Sequence, residues 1–92
     1  MEWRASHILV KDRNLAERIR REIQAGAPFA DMARRYSTCP SKSKGGDLGW
    51  FGPGKMVVEF ERAVQKLANS GISPVVQTRF GYHVIRKTGQ RD

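Results

Sequence analysis

Apolar and polar residues alternate loosely from Trp3 to Val10, with Trp3, Ala5, His7 and Leu9 on one side and Arg4, Ser6, Ile8 and Val10 on the other. Both sides carry apolar residues, which predicts a strand covered on both faces. Asn14 and Glu17 have capping-box spacing and predict the start of a helix in which Leu15, Ile19 and Ile23 recur every four residues, up to Gly26. Pro28 suits a first helical turn, and Phe29, Met32, Ala33 and Tyr36 form a second apolar stripe. Ser37 to Gly46 then breaks the pattern as a polar, turn-rich loop, longer than the usual connection of about 4–6 residues.

Leu48 to Phe51 predicts a short strand, followed by a sharp turn at Gly52-Pro53-Gly54. A third helix is expected to carry Met56 and Phe60 at its start, Phe60, Val64 and Leu67 inward, and Gly71 near its end. Two β segments close the chain, Val75–Thr78 and Tyr82–Lys87, joined by a hairpin turn at Arg79-Phe80-Gly81 with Gly81 at positive φ. The order is β-α-α-loop-β-α-β-β. Parallel crossovers need a dozen or more residues each, so the expected fold is α+β, a four-stranded, mostly antiparallel sheet surrounded by helices.

Composition narrows the class. A chain of 92 residues is one domain's worth, and 39% hydrophobic with 28% charged is globular. A single domain over residues 1–92 is expected. No apolar run approaches the roughly 18 residues that span a bilayer, so no membrane partner is expected. The opening residues lack a basic-then-apolar leader pattern. The lone cysteine, Cys39, excludes an intrachain disulfide framework, and a reducing cytoplasm is the expected compartment. The net charge is +8, spread along the chain and not gathered in a tail. That surface suits acidic proteins or nucleic acid as additional, weak partners, although no helix-turn-helix, zinc or RNP motif accompanies it.

Candidate chemistry centres on two histidines inside apolar strands, His7 in SHILV and His83 in GYHVI. On neighbouring strands they can share one hydrogen bond while both stay neutral. Cys39 beside Pro40 could serve as a thiolate nucleophile, but no oxyanion-hole motif accompanies it. Cys39, His7, His83 and Asp47 contain no pair at metal-ligand spacing. Gly49, Gly54 and Lys55 fit the glycines and lysine of a phosphate-binding loop; Met56 stands where its hydroxyl is needed and Pro53 removes an N–H. Leu48, Met56 and Phe60 are either plain core or the walls of a shallow apolar pocket.

Five motifs occur together and in order: HILVK, the Ser37-Thr38-Cys39-Pro40-Ser41 loop, GGDLGWF, GKMV followed by EFE, and TRFGYHVI. From about Arg4 to Lys87 the chain resembles the parvulin family of peptidyl-prolyl cis/trans isomerases, of the stand-alone, single-domain type. The resemblance implies the same four-stranded fold and isomerase activity on X-Pro bonds in peptides and unfolded proteins, by a non-covalent mechanism with no cofactor and no metal. It implies catalytic positions at His7, Cys39, Thr78 and His83, and substrate-binding positions at Leu48, Met56, Phe60 and Phe80. Cys39 falls where members have Cys or Asp, which implies an electrostatic element in place of an attacker.

The chain departs from the pattern at two places. Members often read M-V-P-x-F where Met56-Val57-Val58-Glu59-Phe60 stands here. Phospho-specific members carry a long basic loop after the first strand, and here only Lys11 to Asn14 occupies that place. Phosphate dependence is not expected, though Lys11 and Arg13 suit an acidic residue before the proline. The expected partners are proline-containing polypeptides, bound by a monomer. Two rivals stay open: a module that holds proline segments without turning them over, and a nucleic-acid binder.

Overall fold

The computed structural model describes all 92 residues, Met1 to Asp92. Its elements are β1 (Glu2–Val10), α1 (Arg13–Gln24), α2 (Phe29–Tyr36), a short 3-10 helix (Pro40–Lys44), β2 (Asp47–Phe51), α3 (Val58–Lys66), β3 (Val76–Thr78) and β4 (Gly81–Arg91). All pairings are antiparallel, in the order β2-β1-β4-β3. The α+β fold expected from the residue pattern is the one observed.

The alternation along β1 decides what each sheet face buries. Ile8 and Val10 point with Val84 towards α1 and α2, where Ala16, Ile19, Ile23, Phe29, Met32 and Ala33 complete one core. Trp3 and Ala5 point the other way with Phe51 and Ile85, and Phe60 and Val64 of α3 close the second. Each large apolar side chain so buried contributes about 1.5–3 kcal/mol before entropy is counted. The central pair, β1 and β4, is thus covered on both faces. No helix is long and apolar enough to cross a membrane.

Several boundaries differ from expectation. The first helix is capped by Asp12, whose carboxylate accepts from the Asn14 N–H at 3.0 Å, so Asn14 lies inside the helix. Pro28 is the N-cap of α2 and not a residue of its first turn. Pro40 to Lys44 of the long loop winds into the 3-10 helix. The third helix starts at Val58, because Val57 is extended (φ −59°, ψ 148°); Met56 therefore belongs to the entry turn. It ends at Lys66, with Leu67 as an extended C-cap, so Gly71 is not its stop. The final strand runs on to Arg91, paired with Glu2.

Lys87, read as a plain strand residue, is buried. Its ammonium donates to the Leu67 carbonyl at 3.0 Å and to the Gln90 side chain. A cation at the carbonyl end of α3 is favoured by the helix dipole and satisfies an otherwise orphaned acceptor.

Candidate active site

His7 lies near the middle of β1 and His83 near the start of β4, where His83 is opposite Leu9. His7 and His83 are thus diagonal neighbours on one face, close enough for side chains to meet. Their Nδ1 atoms are 3.0 Å apart, and the rings lie side by side, with centroids 5.1 Å apart and planes at 28°. Only one of the two Nδ1 atoms can carry the shared proton, so one ring donates and the other accepts.

Both imidazoles are buried, and burial pushes each pKa down to about 4. The charge that His83 would carry lowers His7 further, while Glu59 pulls His83 partly upwards. At neutral pH the pair is uncharged. The row continues through His83 Nε2 to the Thr78 hydroxyl at 2.7 Å, and Thr78 Oγ1 also accepts the Phe80 N–H at 3.1 Å. His7 Nε2, at the other end, is buried with no hydrogen-bond partner.

Two glycines let the backbone reach this arrangement. The Gly46 carbonyl oxygen accepts the His7 N–H at 2.9 Å. A Cβ on Gly46 would come within 2.5 Å of the His7 carbonyl oxygen, and its φ is +91°. Gly81, at φ +138°, turns the hairpin into β4, and a Cβ there would meet the Val10 carbonyl oxygen at 2.6 Å. The positive φ expected at Gly81 is present.

Phe60, from α3, presents its ring to both imidazoles, 5.6 Å from each and nearly perpendicular. It forms the floor of a cavity of about 290 Å³ walled by Leu48, Met56, Val57 and Phe80, with the two imidazoles on one side. Leu48 and Met56 are half-buried, so they belong to the wall and the core at once. Lys55 and Arg79 stand at the rim of this cavity; residue type and spacing pointed to neither as a groove residue, since the direction of a turn side chain leaves no periodic signal.

Cys39 lies in a second, adjoining cavity of about 460 Å³, with Leu9, Lys11, Thr38 and Pro40. His7, His83 and Phe80 line both, so they form the partition between them. Phe80, 47% exposed, is the upper edge of that partition. The Cys39 loop is strapped to β1: buried Ser37 accepts from the Leu9 N–H at 3.1 Å and the Cys39 N–H at 3.3 Å, and the Thr38 N–H donates to the Leu9 carbonyl at 2.8 Å. Ser41 donates its hydroxyl to the Cys39 sulfur at 3.2 Å. Ser37, the first residue of the Ser-x-Cys-Pro-Ser motif, is the positioning residue that the sequence reading passed over.

The eight residues expected at the site are therefore neighbours: His7, Cys39, Leu48, Met56, Phe60, Phe80 and His83 line two adjoining cavities, and Thr78 lines neither but is hydrogen-bonded to His83. Arg13 is not among them; its guanidinium lies over the Tyr82 ring at 5.1 Å.

Comparison with known proteins agrees with this geometry. Residues 7–89 match the family model described as Rotamase, a PPIC-type PPIase domain. The chain is 52% identical over 90 residues to the foldase protein PrsA of Geobacillus sp. strain WCH70, covering 97% of this chain and 33% of that protein. The crystal structure of the peptidylprolyl isomerase PrsA from Bacillus anthracis superposes with a TM-score of 0.97 at 48% identity, over 99% of this chain and 42% of that one. The solution structure of NmPin, the parvulin of Nitrosopumilus maritimus, matches at a TM-score of 0.85 and 36% identity over 96% of both chains. The chain spans about a third of the length of the curated PrsA relatives it matches. By its motifs, its fold and the match over nearly its whole length, the chain belongs to the PPIC-type, or parvulin, family of peptidyl-prolyl cis/trans isomerases.

Proposed function

We propose that this chain catalyses cis/trans isomerisation of X-Pro bonds in peptides and unfolded polypeptides, as a monomer without cofactor or phosphate dependence. The observation that carries it is the apolar cavity on Phe60 opening directly onto the neutral His7–His83–Thr78 row. Its affiliation with foldase relatives supports unfolded chains as substrates.

The barrier to rotation is about 18–20 kcal/mol because amide resonance flattens the bond. An acceleration of about 10⁴ requires only about 5.5 kcal/mol of selective stabilisation of the twisted state. No bond is made or broken. The prolyl ring rests against Leu48, Met56 and Phe60, which holds one side of the amide still. The carbonyl of the preceding residue swings over the partition, between Cys39 and the imidazoles. Enclosure there strips water from the planar, charge-separated amide, and the fixed dipoles of Cys39 and the histidine row meet the twisted one without reorganising. Neutral imidazoles matter, since a charged pair would draw water into the groove.

The reading of a module that only holds proline segments shares the same cavity. Magnetisation-exchange NMR on an Ala-Ala-Pro-Phe-type peptide separates the two. Isomerase action accelerates cis–trans exchange at substoichiometric protein; saturable binding with unchanged exchange overturns it. The weak binding to acidic partners or nucleic acid stands as a secondary proposal resting on the charge of +8. The only support for a cytoplasmic setting is the lone thiol of Cys39.

A further inference from the structure

A third cavity, of about 260 Å³, lies beside the start of α2 and shares no residue with the two cavities of the groove. Arg86 of β4 and Ser6 of β1, directly opposite each other in the sheet, line it side by side. The Arg86 guanidinium lies over the Phe29 ring at 5.1 Å and takes part in no ion pair, and its Nε is buried with no hydrogen-bond partner. Lys44, at the end of the 3-10 helix, adds a second cation without an ion pair. The third cation, Arg4, is held by two bonds to Asp47, the cavity's only carboxylate, which also accepts the Gly49 N–H. Phe29 and Ala30 open α2, a helix with no side-chain cap. Gly45 holds the 3-10 helix against that end, since a Cβ on it would come within 2.8 Å of the Ala30 Cβ.

An orphaned guanidinium donor inside a cavity carries a cost that a negatively charged acceptor removes. The excess of cations over carboxylates and the amide end of α2 give such an acceptor a favourable field. The lining residues belong to β1, α2, the 3-10 helix and β4, so they surround the space from several sides. A tetrahedral oxyanion presents acceptors in all those directions, whereas a carboxylate presents them in one plane. We propose that this cavity binds a small oxyanion of the phosphate class through Arg86 and Lys44, with the Ser6 hydroxyl as a further donor. The ion enters either free or as the phosphomonoester group of a larger molecule. Asp47 stays with Arg4, which offsets its repulsion of the ion. The site is separate from the isomerase reading, because alternation along β1 turns Ser6 away from the face that carries His7.

The test is NMR titration of the isotope-labelled chain at neutral pH with inorganic phosphate and, separately, with glycerol phosphate, ionic strength being held constant with NaCl. Saturable shifts should gather at the amides of Ser6, Ala30, Gly45 and Arg86, while those of Met56 and Phe80 in the prolyl cavity stay in place. Arg86→Gln should weaken binding about tenfold. Lys44→Gln should weaken it about threefold, and Lys44 is exposed, so its replacement leaves the fold intact. Glycerol phosphate binding at least as tightly as phosphate shows that the cavity admits an ester; binding of phosphate alone restricts it to the free ion. Shifts that do not saturate, that NaCl alone reproduces, or that spread over the basic surface away from the cavity overturn the site. Saturable binding weakened in neither variant overturns it as well.

Discussion

Phe60 stands nearly perpendicular to His83, ring centroids 5.6 Å apart at 76°, and meets His7 in the same manner. The floor of the apolar cavity and the hydrogen-bonded row are therefore one packed unit. A prolyl ring on Phe60 has a fixed relation to the imidazoles, because Phe60 is only 2% exposed and has no room to shift. Positioning of this kind is what a reaction without covalent chemistry most needs.

Met56 tests the cavity wall with little harm to the fold, since it is half-buried and lies outside α3. Met56→Ala should lower kcat/KM for an X-Pro peptide about tenfold, equivalent to about 1.4 kcal/mol, with a Tm shift of a few degrees. Phe60→Ala would lose activity too, but removing a buried Phe costs about 3–5 kcal/mol of stability, so its loss is read only alongside an unfolding curve. An unchanged rate in Met56→Ala removes the wall assignment.

Cys39 has no role as an attacking group in this account. Cys39→Asp should keep activity within about tenfold of the unaltered chain, measured by the same exchange assay. Complete loss with an intact spectrum would restore the thiol as a chemical participant.

Ser37 holds the Cys39 loop on β1 through two accepted hydrogen bonds. Ser37→Ala deprives the half-buried Leu9 and Cys39 N–H groups of this acceptor, at a cost of about 1 kcal/mol for each, the low end for an unpaired donor because water can reach them in part. Urea unfolding checks the stability loss. Faster amide hydrogen exchange at Leu9 and Cys39 localises it, and unaltered exchange there contradicts the strap.

The histidine pair gives stability a pH window. Folded pKa values near 4 lie below the unfolded value near 6.5, so between those limits the unfolded chain binds more protons. The neutral pair's contribution is full above about pH 6.5 and is lost progressively as pH falls to about 4. Urea midpoints measured from pH 8 to pH 4 should fall across that interval. Replacing both rings by Gln should flatten the fall, and an equally steep fall in that variant contradicts the assignment.

The residues themselves singled out the two strand histidines and the Cys39 loop, while Leu48, Met56 and Phe60 stayed open between core and pocket wall until the five ordered motifs, through the family resemblance, implied the wall. What places His83 opposite Leu9 is strand register, set by long-range pairing and the tight turn at Gly81, and register leaves no local mark. Asp12 and Asn14 are both competent caps, and Asp12 is the one whose carboxylate accepts the Asn14 N–H. Met56 was assigned to a helix because its spacing to Phe60 is helical; the extended Val57 between them was invisible. Lys55 and Arg79 were missed for the same reason, since both lie in turns.

The central claim is that the prolyl ring sits on Phe60 while its amide turns beside the imidazoles. The most direct measurement is the set of intermolecular NOEs between a proline-labelled peptide and the protein during catalysed exchange. The account predicts contacts from the prolyl ring protons to the Met56 methyl, the Leu48 methyls and the Phe60 ring, together with accelerated cis–trans exchange. Prolyl contacts confined to the Cys39 cavity or to the groove between α3 and β3, at full turnover, would contradict it.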